Sequence, residues 1–287
     1  GLYVSVVNAK LVHGYGNNDL RRVKTDRKDA IKLANYGLDR WLTLPRYVPE
    51  ENTRLLLKNC YRQYRQYSKV QTVLKNNLIS LLDMTFPNAN RLFVSPARAD
   101  GSEKWVDFVA EFWHCECVSE RSLKSFVNKY WRWCRKHGYN FSEEKAHAIY
   151  DEASGHIGVM PKSETTKLLV EQAVSQLSAT SAALAALKQE MQSLSSQLPE
   201  YPVVMDMRGV GDSLGPQLIA ELGDVTRFTH RNAITAFAGV DPGADQSGTH
   251  EAKSTRVSKS GPPELRRALF LVCLLYTSPS PRDYAAS

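Results

Sequence analysis

The sequence predicts a mainly α-helical protein with an α/β element at its N-terminal end and a helical C-terminal third built on a helix-hairpin-helix-like turn. Three observations carry this. Two stretches of about thirty residues repeat apolar side chains at heptad spacing. A β-branched apolar run opens the chain and leads into an amphipathic helical pattern, and a Gly-Val-Gly turn precedes another short amphipathic pattern late in the sequence.

Composition sets the outer bounds. The chain has 287 residues, 43% of them hydrophobic, which is enough for real cores. Thirty-seven Lys and Arg against thirty Asp and Glu give +7, an excess that favours a polyanionic partner. No run of eighteen apolar residues or cleavable leader is present, so no membrane is expected and the bacterial cytoplasm is the default location. Cys60, Cys115, Cys117, Cys134 and Cys273 are odd in number and scattered, which fits a reducing compartment. His114, Cys115, Cys117, Cys134 and His137 could be drawn as a zinc set. Cys-x-Cys is tighter than the usual zinc spacer, however, and these are read as ordinary free cysteines.

Residues 1–48 form the first expected domain. Leu2 to Val7 reads as a buried strand, so the chain opens in mid-sheet and the start of an α/β domain is expected upstream. Lys24 to Ala34 reads as the start of a helix, with Ala30, Leu33, Ala34 and Gly37 at helical spacing. Asp26 and Asp29 then stand three apart on its first turn and point the same way. Two convergent carboxylates flanked by Lys24, Arg27 and Lys28 suit Mg²⁺-assisted phosphodiester chemistry. The competing reading is structural, because acids at a helix start answer orphan N–H groups and the helix dipole.

Residues 49–200 form the second domain. From 52 to 84 one long helix is expected, with a stripe of Leu57, Cys60, Tyr64, Tyr67, Gln71, Leu74, Leu78 and Leu81. No acid falls between Glu51 and Asp83. Lys58, Arg62, Arg65 and Lys69, spaced 4, 3, 4, form a single-sign line expected on the face away from the stripe, where it suits a nucleic-acid backbone. Tyr61 is assigned to the core. Residues 88–155 hold Trp105, Trp113, Trp131 and Trp133, read as core, and the basic patch Arg132, Arg135, Lys136, to which no role is given. A short helix is expected over 143–154. A second long helix over 167–198 carries Val170, Leu177, Leu184, Met191 and Leu198 at one heptad position and Ala173, Thr180, Leu187 and Leu194 at the other. It pairs with the first long helix or between subunits.

Residues 201–275 form the third domain. Gly209-Val210-Gly211, before a helix through Leu214, Leu218, Ile219 and Leu222, is a turn whose backbone N–H groups can approach a phosphate. Lys253, Arg256, Lys259, Arg266 and Arg267 follow as candidate phosphate contacts.

The segment VVNAKLVHGYGNNDLRRVKTDRKDAIKLA resembles the end of the catalytic domain of a bacterial insertion-sequence transposase family, the one-ten family. The segment from Glu221 to Phe270, with AITAFAGVDPGADQSGTHEAKSTRVSKSGPPELRRALF, is similar to that family's second domain. The resemblance implies a RuvC-like (RNase H-like) domain with a DEDD tetrad holding Mg²⁺. Thr25 to Ala30 matches the family's Thr-Asp-x-x-Asp-Ala, which makes Asp26 and Asp29 the third and fourth acids and places the first two upstream. It also implies a nucleophilic serine after Gly239-Val240-Asp241-Pro242, which is Ser247, followed by Gly248. DNA is then the substrate, a structured guide RNA a partner, and a homo-oligomer the expected assembly. His250 is a possible proton carrier, weighed against the plainer reading of an exposed loop histidine without a role. With half a tetrad, the chain is expected to be inactive by itself. Residues 276–287, with two prolines where the family's helix continues, read as foreign sequence. The alternatives are a Holliday-junction-resolvase-like nuclease, which needs the acids but not Ser247, and a non-enzymatic nucleic-acid-binding protein.

Overall fold

The computed structural model describes residues 2–15, 25–44, 46–47, 51–241, 246–247, 250–251 and 257–277. It is mainly helical, and it divides into a unit of residues 1–51 and a unit of residues 52–287.

The first unit holds α1 (Ala9–Gly14) and α2 (Asp26–Arg40). Lys32 Nζ donates to the His13 carbonyl at 2.7 Å, and Tyr15 packs edge-on against Tyr36 and hydrogen-bonds Asp39. The strand expected over Leu2–Val7 does not form. A strand is defined by its ladder, and the described residues of this unit provide only isolated partners: Tyr47 N–H donates to the Val4 carbonyl at 2.7 Å and Tyr3 Oη to the Leu44 carbonyl at 2.7 Å. Leu2, Val4 and Val6 are exposed rather than buried, as are Ile31, Leu33 and Leu38 of α2.

The second unit is built on two long helices, α3 (Asn52–Thr85) and α8 (Glu164–Ser196), neither interrupted by Gly or Pro. They pack antiparallel within one chain. Leu57 and Tyr61 share a core with Met191 and Leu194 at one end, while Leu78 and Leu82 share another with Val170, Ala173, Val174 and Leu177 at the other. Midway, Gln71 Nε2 donates to Ser181 Oγ at 2.9 Å, a polar layer that fixes the register of the seam. α8 begins at Glu164, one turn's fraction earlier than the heptads predict, because Ser163 caps it by accepting from Thr166 N–H at 3.2 Å.

Between the long helices, α4 (Lys104–Glu111), α5 (Glu116–Ser119), α6 (Leu123–His137) and α7 (Glu143–Ser154) form a helical head. Its aromatic core centres on Phe108, with rings of Phe93, Phe112 and Trp133 at centroid distances of 5.3, 4.6 and 5.6 Å. Trp105, Trp113 and Trp133 are buried as expected, but Trp131 is 41% exposed. It falls on the outer face of α6, whose inner face is taken by Phe126, Tyr130, Trp133 and Cys134. His114 is fully buried and bonded to backbone on both sides: Nδ1 accepts from Glu116 N–H at 3.2 Å, so Nε2 carries the hydrogen that reaches the Met160 carbonyl at 3.0 Å.

Beyond α8, α9 (Tyr201–Met205), α10 (Leu214–Leu222), α11 (Arg231–Ala238), a two-residue antiparallel ribbon of β1 (Gln246–Ser247) and β2 (His250–Glu251), and α12 (Pro263–Thr277) complete the unit. α10 and α12 pack on the N-terminal half of α3, sharing a core with Leu57 and Tyr61. Buried Arg54 forms a two-pronged ion pair with Glu200 and also donates to the Gly223 carbonyl at 3.3 Å, while Arg65 pairs with Glu264. α12 runs through Thr277, one residue past the expected break at Tyr276; residues 278–287 lie outside the described residues.

Candidate functional site

Asp26 and Asp29 occupy the first turn of α2, as the spacing requires. Thr25, not Asp26, is the N-cap: its backbone is extended and its Oγ1 accepts from Lys28 N–H at 3.3 Å. Both carboxylates are therefore released from capping and exposed to solvent. Among the described residues no third Asp, Glu, His or Cys joins them to make a three-ligand cluster. The pair fits a hard divalent cation as a partial set of oxygen donors, of the kind that usually works with further ligands and substrate phosphate.

Ser247 belongs to the second unit, in β1, opposite His250 of β2 in the antiparallel register. The base of the segment that carries this ribbon is clamped. Gly239, the C-cap of α11 at φ +66°, and Gly261 approach so closely that a Cβ on Gly261 would stand 1.8 Å from the Phe237 carbonyl oxygen. Lys259 N–H donates to the Gly239 carbonyl at 3.0 Å, and Ser258 bonds Asp241 through backbone, at 3.1 Å, and side chain, at 2.9 Å. Arg266 then ties the two sides by donating to the Gly261 carbonyl at 2.7 Å and the Ala238 carbonyl at 3.3 Å. Sequence reading cast Arg266 as a phosphate contact; it is committed to backbone here. Lys259 is exposed and holds a left-handed φ of +51°. Lys253, Arg256, Pro242 and Gly248 lie outside the described residues.

The basic line of α3 stands on the face away from the stripe, but part of that face is occupied by the chain itself. At about 100° per residue, Lys58, Arg62, Arg65 and Lys69 centre nearly half a turn from the middle of the stripe, on the flank beyond Tyr61. That flank meets the C-terminal helices. Arg65 Nε lies 2.8 Å from Glu264 Oε2 and its NH2 donates to Oε1 at 3.2 Å, so this cation is largely committed within the chain. Lys58 and Arg62 act on Glu221 of α10: burial pushes the Glu221 carboxyl above its ordinary value, and these two cations pull it partly back. Arg62 and Lys69 remain exposed.

The Gly-Val-Gly turn joins α9 to α10. Val210 is buried, Gly209 takes φ +80°, and the Gly211 carbonyl accepts from Leu214 and Gly215 N–H at 3.0 and 2.9 Å to begin α10. A Cβ on Gly215 would meet Met205 Sδ at 2.5 Å, so the two helices cross at a glycine. A Cβ on Gly211 would meet nothing within 4 Å, so the outer side of the turn is open. No helix among the described residues is long and apolar enough to cross a membrane.

Comparison with known proteins covers both units. Residues 1–87 match a DEDD-type family model described as a transposase, and residues 201–285 match the model of the transposase IS116/IS110/IS902 family. The second match extends across α12 and the segment after it. The chain is also 22% identical, over 272 residues, to a pilin gene-inverting protein of Moraxella bovis and equally to one of Moraxella lacunata. Each alignment covers 95% of this chain and 59% of the relative, so the chain spans under two thirds of the length of these proteins. With its N-terminal acids and its C-terminal serine segment both inside matched regions, the chain belongs to the IS110 group of insertion-sequence transposases.

Proposed function

We propose that this chain is part of a DNA transposase or site-specific recombinase that cleaves and rejoins strands through a carboxylate-held divalent metal and a serine nucleophile. The observation that carries the reading is the pair of family matches, one spanning the Thr25–Ala30 segment and the other spanning Ser247. Inversion of a pilin gene, which the name of the two relatives states, is a DNA rearrangement of the same class.

In this reading Asp26 and Asp29 are two of four carboxylates in an RNase H-like domain, and the exposed apolar side chains of Ile31 and Leu38, which share a face of α2, are surface that such a domain would bury. A bound Mg²⁺ would neutralise charge at the reacting phosphate. Ser247 Oγ attacks phosphorus; an Oγ–P bond forms as a P–O bond to a deoxyribose oxygen breaks, and the serine proton leaves as the departing oxygen gains one. His250, opposite Ser247 in register, is the candidate to accept that proton. The glycine crossing and Arg266 keep the serine segment anchored while its tip engages DNA. The open Gly-Val-Gly turn works as a helix-hairpin-helix phosphate contact, with Arg62, Lys69 and Lys259 as further backbone contacts. A structured guide RNA and a homo-oligomeric assembly complete the proposal. The 287 residues alone, with two acids, are proposed not to support strand transfer.

The test is an inversion or excision assay on a plasmid substrate, using the full reading frame at the native locus. Asp26→Asn and Ser247→Ala should each abolish recombination. Cleavage that survives Ser247→Ala but not Asp26→Asn would point instead to a resolvase-like nuclease. DNA binding without any reaction that either variant alters would reduce the protein to a binding factor.

A further inference from the structure

The outer face of α6 has the composition of a nucleic-acid platform. Between Glu120 and Glu143 the chain carries no acid, while it holds Arg121, Lys124, Lys129, Arg132, Arg135 and Lys136. Helical spacing sorts them: Arg121, Ser125, Asn128, Arg132 and Arg135 recur at 4, 3, 4, 3, a line about 21 Å long on the face opposite the aromatic core. Arg121, Ser125, Asn128, Lys129 and Arg132 line a groove of about 420 Å³ on this face. Trp131 is exposed at its edge, and the Arg135 guanidinium lies 4.9 Å from its ring centroid.

Ordinary helix electrostatics accounts for only part of this. Cations in the last turn, Arg135 and Lys136, answer the C-terminal dipole of α6. Arg121 and Lys124 stand at the opposite end, where the dipole disfavours them, and Arg132 is a turn further in. The nearby ion pairs, Lys129–Glu111 at 3.4 Å and Lys162–Glu120, use none of Lys124, Arg132, Arg135 or Lys136. An exposed tryptophan on a surface helix of single sign is a stacking surface beside a phosphate track, the combination that holds unpaired bases.

We propose that the α6 face binds an unpaired stretch of RNA. Trp131 and the Arg135 plane stack on bases, and Arg121, Lys124 and Arg132 contact phosphates. Ser125 and Asn128, each both donor and acceptor, lie between the cations where a ribose 2′-hydroxyl would meet them. The inference deepens the proposal of an RNA partner and rests on it, while its test is separate from the roles given to Asp26, Asp29 and Ser247.

The experiment uses the full 287-residue chain and an unstructured, uridine-rich RNA of about twelve nucleotides, within the usual range of single-strand sites. Fluorescence anisotropy is measured with this RNA, its DNA counterpart and an RNA duplex. Trp131→Ala should weaken RNA binding about 5- to 150-fold, with Trp131→Phe retaining most of it. Lys124→Gln with Arg132→Gln should reduce the slope of log affinity against log salt by about 1.4. A 5-iodouridine probe should crosslink under ultraviolet light to the peptide containing Trp131. All five substituted positions, Lys124, Ser125, Asn128, Trp131 and Arg132, are exposed, and circular dichroism melts of the variants should match the parent. Crosslinking elsewhere with affinity unchanged in Trp131→Ala overturns the site. Duplex bound as tightly as single strand overturns the stacking mode. DNA bound as tightly as RNA, unaffected by Ser125→Ala and Asn128→Ala, overturns the assignment to RNA.

Discussion

Replacing Arg54 tests how the serine-bearing helices are attached to the long hairpin. Its side chain and that of Glu200 are each 9% exposed, NH2 donates to Oε2 at 3.1 Å, and NH1 reaches both Oε1 and the Gly223 carbonyl. Arg54→Met removes the cation but leaves a desolvated carboxylate and an unanswered helix-end carbonyl, which should cost about 3–5 kcal/mol. For a unit of this size that is a fall in Tm of about 6–20 °C. Arg54→Met with Glu200→Met removes both charges at similar volume and should recover most of the loss, because the pair's attraction largely offsets its own desolvation. Urea and thermal denaturation followed by circular dichroism give the four corners of the cycle. A single-variant loss below about 1 kcal/mol, or a double variant no better than Arg54→Met, would refute the claim that burial of an unpaired charge dominates this contact.

Three further outcomes follow from the geometry. Glu221 has a carboxyl raised by burial above its ordinary 4.5, so the folded state holds its proton more tightly than the unfolded chain does. Its contribution is therefore most favourable below that value and declines as pH rises from there through the folded pKa; Glu221→Gln should flatten the parent's loss of stability over that rise, and an unchanged slope would exclude Glu221 as its source. Gly261→Ala should destabilise by about 3 kcal/mol or more, since its Cβ would stand 1.8 Å from a backbone oxygen, whereas Gly211→Ala, in open space, should stay within about 0.5 kcal/mol; denaturation midpoints of the two decide. Thr25→Ala should loosen the start of α2 by about 1 kcal/mol, seen as faster amide exchange at Lys28 and Asp29, and Thr25→Asp should restore protection.

The long helices were legible because heptad repetition over several turns is a redundant signal. Leu57, Leu78, Val170, Leu177, Leu184 and Met191 are all buried along the seam, and the acids of α2 fall where the Thr-Asp-x-x-Asp spacing places them. What failed was geometry that one strip of sequence does not contain. Leu2–Val7 has strand propensity, but a ladder needs neighbours, and propensity alone leaves these residues outside any ladder and mostly exposed. The basic line of α3 lies away from the stripe as its spacing requires, but local sequence does not show that Glu221 and Glu264 of the C-terminal helices reach that face. Arg266, read as a phosphate contact, holds backbone carbonyls instead. Trp131 was grouped with three buried tryptophans, yet helical phase separates it from Trp133 by about 200° and puts it outside. The Ser247–His250 register and the Gly239–Gly261 crossing depend on contacts between separated segments, and no local signal announced them.

The central claim concerns a covalent serine intermediate, and mass mapping of a trapped complex addresses it most directly. The protein from the full reading frame is incubated with Mg²⁺ and a DNA substrate that stalls after the first strand is cut, then digested with protease and nuclease. The account predicts a nucleotide remnant on the peptide containing Ser247, absent from Asp26→Asn. A remnant on another residue, or efficient cleavage with no protein-linked nucleotide at all, would contradict it.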